Sequence, residues 1–385
     1  MKIVVLTTSF PKNKKDYSGL FVLNYLKNTN LKSIVIAPHN KGLKKRETVD
    51  GIDVRRIQYA PENMEKLFYS KGVPDNIRKS PFLTMLSIPW MMKSSVLAIK
   101  LLKDDDILIT NWAFPTGVIG AFIKKFSKKK IKHINIIHSA GLTILKNKNL
   151  KFLTKFLYEN TDKLHFVNTE HISWFEKLID KKIKKEKIIL KPMPISTPIP
   201  NDRDTLPCVS TWGIGKNQLL YLGRIVKIKG LDLMLDELKS LKNINLTIAG
   251  DGNLKTELEQ KYSYANFTGS VFDKKKQDLL NKSNIVIIPS ISTNGQIEGF
   301  PTVILEAALS KSLLAISTEV KGIDYIYKDK LNCFYYNPYK KNELRDLVFY
   351  LSEEKNEKMM ETMIDLSYNA TLNILESYKL DFLSK

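Results

Sequence analysis

Two doubly wound α/β domains are predicted by three features of this chain. Short, almost wholly apolar runs alternate with segments of helical pattern through the first half. Five prolines (Pro192, Pro194, Pro198, Pro200 and Pro207) then fall within sixteen residues. Beyond them the strand–helix alternation begins again. Apolar runs of this kind suit a parallel sheet buried on both faces, and the proline cluster marks a linker. The reading is two doubly wound domains facing a central cleft, residues 1–197 and 198–365. A C-terminal helix, about residues 366–385, is expected to pack back on the first domain.

In the first half the candidate strands are Lys2–Thr8, Ser33–Ala37, Ile107–Trp112, Ile134–His138 and Lys163–Val167, with helical pattern at Asn24–Asn28, Thr116–Lys125 and Asn149–Tyr158. In the second half they are Leu219–Leu222, Asn245–Ala249, Ile285–Pro289 and Leu314–Ser317, with helices over Gly230–Leu241, Leu254–Gln260 and Thr302–Ser310. The tail Glu357–Leu383 is helical in pattern. With 385 residues, 43% of them hydrophobic, two cores are affordable and disorder is excluded as the main state.

The formal net charge is +21, and arginine stands only at positions 46, 55, 56, 78, 203, 224 and 345, so 54 of the 61 basic residues are lysine. Scarce arginine weighs against nucleic acid, whose bidentate contacts favour guanidinium. A solvated lysine-rich surface and an anionic membrane surface both fit. In Pro81–Lys103, aromatic and aliphatic residues are interspersed with Lys93, Lys100 and Lys103, and Phe122–Lys132 holds six lysines. Basic residues beside apolar ones favour a membrane interface, against an amphipathic domain helix plus a solvated lysine run. Two cysteines, Cys208 and Cys333, show no metal or redox spacing and fit a reducing cytoplasm. The apolar start Met1–Phe10 reads as a buried strand, not a signal peptide. No membrane span is expected, because no run of 18 uncharged apolar residues occurs.

The most informative segment is GQIEGFPTVILEA, Gly295 to Ala307. It sets Glu298 and Glu306 eight positions apart, with Gly299 and Pro301 where a loop becomes a helix. Proline suits the first helical turn, whose N–H groups lack partners. Free N–H groups there face an anion. Glu306 then lies about a turn and a half into the helix. The segment offers an anion cradle and two hydroxyl-binding carboxylates, as a phosphorylated sugar requires.

Other candidates sit where strands end. In GRIVKIKG, Arg224 and Lys229 flank a strand-to-helix connection and can reach one diphosphate from two sides; a basic loop paired with surface acids is the alternative. Gly250 belongs to AGDGN, a tight turn after a clean strand, either a plain turn or a ligand contact. Gly19, at the first strand-to-helix turn, lets backbone approach a phosphate, or serves an ordinary turn. His138 ends the strand INIIH, as a cleft-facing histidine or a satisfied structural one. The Asp-x-Asp pairs at Asp104/Asp106 and Asp202/Asp204 read as solvated acids before metal ligands.

Together these pieces resemble the retaining glycosyltransferases of family 4, of GT-B fold. GRIVKIKG looks like that family's arginine–lysine phosphate motif, LTIAGDGNLKTELE like its strand–GDG–helix element, and Ile287–Tyr325 like its most diagnostic region. Phe10–Phe21, Asn111–Gly117 and His138–Gly141 match more thinly but in order. The resemblance implies α/β architecture of two Rossmann-like domains and a bacterial envelope-polysaccharide type of enzyme. It implies that Gly19 approaches the diphosphate by its backbone, that Arg224 and Lys229 neutralise it, and that Glu306 holds the ribose. It implies that Glu298, with Gly299 and the backbone of Phe300, Pro301, Thr302 and Val303, holds donor-sugar hydroxyls. Gly250 joins the donor site, and His138 contacts the sugar near the reacting carbon. The catalytic set is His138, Glu298, Arg224 and Lys229, with a nucleotide-diphosphate sugar as donor and no metal cofactor. The acceptor is a glycan or lipid-linked hydroxyl, with peripheral contact to anionic membrane and no nucleic acid. The chain departs from the family at Ser18-Gly19, at Lys191–Pro194 and at Lys311-Ser312. A nucleotide-sugar epimerase or hydrolase of GT-B type is the runner-up, and a nucleic-acid-binding protein ranks third.

Overall fold

The computed structural model describes residues 1–13, 16–29, 31–69, 73–195, 217–293, 295–353 and 356–381. The chain divides into two compact units, Met1–Met193 and Pro194–Lys385. The division falls four residues before the expected boundary, inside the proline cluster; Pro198, Pro200 and Pro207 lie outside the described residues.

The first unit is built on an eight-stranded sheet. Its strands are β1 (Ile3–Leu6), β2 (Ser33–Pro38), β3 (Arg46–Val49), β4 (Ile52–Ile57), β5 (Ile107–Asn111), β6 (Lys132–Ile137), β7 (Lys163–Phe166) and β8 (Ile188–Leu190). Their order is β3-β4-β2-β1-β5-β6-β7-β8, parallel throughout except for the antiparallel β3–β4 pair. β1 reads IVVL and is wholly buried, because helices cover both faces of a parallel sheet. Val4 is in register with Ile34 on β2 and Leu108 on β5. The strand order turns between β1 and β5, which makes their carboxyl ends the expected place for a ligand.

The helices are α1 (Leu20–Lys27), α2 (Val73–Lys79), α3 (Ser87–Leu101), α4 (Val118–Phe126), α5 (Ser139–Leu145), α6 (Lys151–Glu159) and α7 (Thr169–Ile179). One core cluster joins Val4, Leu6 and Leu108 to Trp90 and Ala98 of α3 and Ile119 of α4. The other joins Ile137, Leu164 and Phe166 to Leu142, Leu157 and Phe175. β3 and β4 were not foreseen. They form a hairpin about Asp50-Gly51, both at positive φ (47° and 83°), the conformation a tight two-residue turn demands.

One helix bears on the expectation that no segment spans a membrane. A continuous helical stretch, Pro81–Leu101, is long and apolar enough by length and composition to cross a membrane. Lys93 and Lys100 break the uninterrupted apolar run that the sequence reading looked for, but not the helix's average apolarity. Trp90, Ser94 and Ala98, four apart on one side, are fully buried in the unit.

The second unit carries a six-stranded, all-parallel sheet in the order β11-β10-β9-β12-β13-β14. The strands are β9 (Asn217–Leu222), β10 (Ile244–Ala249), β11 (Asn266–Gly269), β12 (Ile285–Ile288), β13 (Leu313–Ser317) and β14 (Phe334–Tyr336). The helices are α8 (Leu231–Leu238), α9 (Lys255–Lys261), α10 (Asp273–Lys282), α11 (Val303–Leu309), α12 (Glu343–Leu351) and α13 (Glu357–Asp381). Here the order turns between β9 and β12. Met360, Met363 and Ile364 of α13 enter the core with Leu246, Ile285 and Leu313. Further along, α13 packs on α11 and β13, and Thr371 shares a 2.6 Å hydrogen bond with the Tyr327 hydroxyl. These contacts hold the helix, as far as Thr371, to the second unit.

Candidate functional site

In the second unit the structure brings Arg224, Lys229 and Glu298 together at the carboxyl ends of β9 and β12. Gly223-Arg224 leaves β9, and a single 3-10 turn, Lys227–Lys229, leads into α8. Gly230 has φ +60°, and a Cβ there would meet the Pro289 carbonyl at 2.1 Å. Only glycine lets this loop lie against the end of β12. The two loops are tied by Ile291 N–H donating to Ile228 O at 2.9 Å.

Across that junction Lys229 Nζ donates to Glu298 Oε2 at 2.7 Å, and the Ser290 hydroxyl donates to the same oxygen at 3.3 Å. Burial pushes the Glu298 carboxyl up, but Lys229, Arg224 and Ser290 outweigh it and hold the group below its ordinary range. Glu298 is therefore an anion and a hydrogen-bond acceptor, not a general acid. Arg224 is anchored differently. The Tyr221 hydroxyl donates to its carbonyl at 2.6 Å. Its guanidinium is exposed and makes no hydrogen bond or ion pair among the described residues. A fixed backbone under an unengaged guanidinium suits an anion that arrives from outside.

Gly250 follows β10. A Cβ there would lie 1.8 Å from Gly223 O, and one at Gly252 would lie 2.1 Å from Ile225 O. The structure thus gives the GDG turn a packing reason: it lets the β10 loop support the loop that carries Arg224.

Glu306 stands apart from Glu298. It lies in the first turn of α11, is 8% exposed, and Oε1 accepts from Lys276 Nζ of α10 at 2.6 Å. Oε2 has no partner among the described residues. Phe300 and Pro301 are buried, and the Phe300 ring lies 6.4 Å from that of Tyr327, so its side chain serves packing. Ile304 and Leu305 N–H turn back to the Pro301 and Thr302 carbonyls at 3.0 and 3.1 Å. Those two N–H groups are therefore spent within the helix start.

In the first unit, Gly19 caps α1 at φ +72°, and a Cβ would meet Ser9 O at 2.2 Å. The loop before it is held by buried side chains. Arg56 Nη2 donates to Pro11 O at 2.6 Å, and the Tyr69 hydroxyl to Phe10 O at 3.3 Å. His138 follows β6 beside this helix. Its ring lies 4.9 Å from Phe21 and 5.2 Å from Trp112, with Nε2 3.3 Å from Asn111 Oδ1. Trp112 has φ +73°, a rarely adopted backbone for a bulky residue. Gly141 permits this, since a Cβ there would meet Ala113 N and Trp112 Cβ at 2.9 Å. Asn111 Nδ2 is buried with no hydrogen-bond partner among the described residues.

Burial, with His165 and His171 nearby, lowers the His138 pKa to about 3. Burial lowers that of His133 to about 4. Both rings are neutral near pH 7. In the unfolded chain they titrate near their ordinary 6.5, so the unfolded state binds more protons between that value and the folded ones. Stability is full above about pH 6.5 and falls as pH drops, by about 1.4 kcal/mol per pH unit for each ring. We expect the thermal midpoint to fall from pH 7 to pH 5, and His138→Asn to lessen that slope. An unchanged slope would show that His138 is not buried neutral.

The other acids are locally spent. Asp106 accepts from Lys2 N–H at 2.9 Å and Lys103 N–H at 2.8 Å, and Asp104 from Lys130 N–H at 2.7 Å. Asp202 and Asp204 lie outside the described residues. The sequence reading gave no role to Lys276, Ser290, Asn111, Phe21 or Trp112, because their contacts with Glu306, Glu298 and His138 are assembled only by packing.

A family model described as "Glycosyl transferases group 1" matches residues 202–370. The chain is 26% identical over 265 residues to an uncharacterized glycosyltransferase of Methanocaldococcus jannaschii, covering 67% of this chain and 68% of that one. It is also 26% identical over 194 residues to a Campylobacter jejuni alpha-1,4-N-acetyl-D-galactosaminyltransferase named for a diNAcBac-PP-undecaprenol glycan, covering 48% of this chain and 49% of that one. Among solved structures, sucrose-phosphate synthase from Thermosynechococcus elongatus matches with TM-score 0.74 and 14% identity, covering 99% of this chain and 97% of that one. The trehalose-6-phosphate synthase OtsA matches with TM-score 0.72 and 13% identity, over 100% and 98%. Anabaena HepE, in complex with UDP and glucose, matches with TM-score 0.70 and 15% identity, over 100% and 98%. The fold is that of the GT-B glycosyltransferases, and the group 1 match with the two relatives supports a glycosyltransferase.

Proposed function

We propose that the protein is a retaining glycosyltransferase of family 4. It moves a hexose-type sugar from a nucleotide diphosphate to a hydroxyl of a glycan or lipid-linked acceptor, in the synthesis of cell-surface polysaccharide, lipopolysaccharide or glycolipid at the cytoplasmic face of the cell membrane. The observation that carries this is the cluster of Arg224, Lys229 and Glu298 at the ends of β9 and β12. It offers two cations to a diphosphate and one carboxylate to sugar hydroxyls. The undecaprenol-linked glycan in the C. jejuni relative's name supports a lipid-linked acceptor, and the UDP in the HepE complex supports a nucleotide-sugar donor.

The bond from the sugar's anomeric carbon to the diphosphate oxygen breaks, and its electron pair leaves with the phosphate. The acceptor oxygen bonds to the same carbon, on the same face, and its proton passes to the departing phosphate. Charge develops on the diphosphate, so preset cations there lower the barrier. Arg224 and Lys229 take that role. Glu306 holds the ribose. Glu298 and the backbone from Gly299 to Val303 hold sugar hydroxyls, and Gly250 supports the loop of Arg224. On the first unit, Gly19 is assigned to the diphosphate by its backbone, and His138, neutral, to the sugar near the reacting carbon. No side chain is needed as covalent nucleophile.

A thermal-shift screen over UDP-, GDP- and ADP-sugars tests the donor. One class should raise the midpoint by several degrees at about 100 times its Kd, which corresponds to about 2.7 kcal/mol. No shift with any of them would overturn the reading. Conversion of the donor without any acceptor would replace it with epimerase or hydrolase activity.

A further inference from the structure

The outer side of Pro81–Leu101 is apolar and uncovered. Phe82, Met85, Ile88, Met92, Val96 and Ile99 recur every three or four residues, so they form one stripe along the helix. Their exposure runs from 41% at Ile99 to 80% at Phe82. The opposite side, Trp90, Ser94 and Ala98, is buried. Among the described residues, one side of the stretch is thus buried in the unit while the apolar stripe stays exposed. The stripe continues sideways, since α3 packs on α4 and α4 on α6. Phe122 stacks on Phe126 at 5.7 Å and meets Phe156 at 4.5 Å, while Phe126 and Phe152 are 67% and 65% exposed.

Charge decides what covers this surface. No acidic residue occurs from Asn76 to Lys103, or from Ile107 to Tyr158. Lys79, Lys100, Lys103 and Lys128 are exposed on these segments, and Lys125 Nζ sits 5.6 Å over the Phe126 ring and 5.3 Å over that of Phe156. Apolar side chains with lysines at their rim match an interfacial helix, whose ammonium groups reach headgroups while the apolar side sinks into the acyl boundary. A second copy would bring equal positive charge against positive charge. No arginine stands between Arg78 and Arg203, which disfavours nucleic acid.

We propose that the first unit docks on an anionic lipid bilayer through this surface, with Pro81–Leu101 lying in the membrane plane and the Phe122, Phe126 and Phe152 side chains beside it. It does not span, because its Trp90 side is held in the unit's own core. The docking stands on the first unit alone, whatever donor the second unit takes.

Sedimentation of the full chain with vesicles tests it, comparing phosphatidylcholine alone with phosphatidylcholine containing about one-third phosphatidylglycerol at low salt. The chain should pellet with the anionic vesicles, and about tenfold less with neutral ones or at high salt. Two triple variants, Ile88→Ser with Met92→Ser and Val96→Ser, and Lys100→Glu with Lys103→Glu and Lys128→Glu, should each bind about tenfold more weakly or worse. Both should keep the wild-type thermal midpoint. Phe82→Ser with Phe126→Ser, both highly exposed, makes the same test should a triple variant fail to fold. Wild-type protein left in the supernatant, or variants that pellet like wild type, would overturn the proposal. So would a dimer, seen by light scattering, that the serine variant breaks while vesicle binding is absent.

Discussion

Replacing Arg224 with alanine should lower turnover by about 100- to 1,000-fold, the loss typical when one preset charge-stabilising group is removed. The expectation rests on where its two ends are. The backbone is fixed by the Tyr221 hydroxyl at 2.6 Å, while the guanidinium has no partner among the described residues to lose. Removing it leaves no buried charge unpaired, so folding should change by less than about 0.5 kcal/mol, as for an ordinary surface site. Lys229 is the contrasting case. Its ammonium already pairs with Glu298, each side chain only 16% exposed. Lys229→Ala strands that carboxylate, so the Glu298 pKa rises and stability falls by about 1–3 kcal/mol, less than for a fully buried pair. A comparison of kcat in the two variants, with thermal midpoints alongside, separates the effects. Normal turnover in a folded Arg224→Ala protein would remove Arg224 from the transition state. Lys229→Ala should additionally move the acid limb of the pH–activity profile upward, because loss of the ammonium raises the Glu298 pKa.

The basic half of this cluster was legible because the residues that make it are local in sequence. A strand end, a basic residue on each side of a short loop and a glycine before a helix are all within GRIVKIKG. The glycines were legible as necessary, but their backbone neighbours were not. Gly250 reads as either a plain turn or a ligand contact, and a Cβ there would lie 1.8 Å from Gly223 O. Lys276 was invisible because thirty residues and a strand separate it from Glu306, and a lysine on an exposed helix carries no pattern of its own. The same holds for the first unit. His138 was marked by its place after a buried strand, but its neutrality comes from burial, with His165 and His171 nearby, and that depends on residues distant in sequence. The β3–β4 hairpin is a different failure. Asp50-Gly51 between short polar–apolar runs is a local turn signal, and it lay in plain sight among residues dominated by charge. The apolar, lysine-bearing character of Pro81–Lys103 was legible, but which of its side chains stay exposed was not, because that depends on how the helix packs in the unit.

Glu306→Gln should weaken nucleotide-sugar binding by about 10- to 100-fold, the worth of a hydrogen bond to a charged acceptor or somewhat more. Glutamine keeps the shape and can still accept from Lys276, so the change removes charge and not packing. The difficulty is that Glu306 has two partners in prospect, and a loss of affinity alone would not say which mattered. Lys276 Nζ holds Oε1 at 2.6 Å, leaving Oε2 for a ligand. If Lys276 only orients the carboxylate, Lys276→Met should shift affinity by less than about fivefold and cost about 1 kcal/mol of stability, as partly exposed ion pairs do. If the carboxylate matters only as the partner of Lys276, both variants should weaken binding equally. A 2′,3′-dideoxyribose form of the donor nucleotide separates the two cases by a cycle. Wild-type protein should bind it about 10- to 100-fold more weakly than the parent nucleotide, and Glu306→Gln should bind both nearly alike, because the hydroxyls and the carboxylate are two sides of one contact. Additive losses, with the variant still discriminating fully between the two nucleotides, would move the ribose contact away from Glu306 and leave that carboxylate a structural role with Lys276.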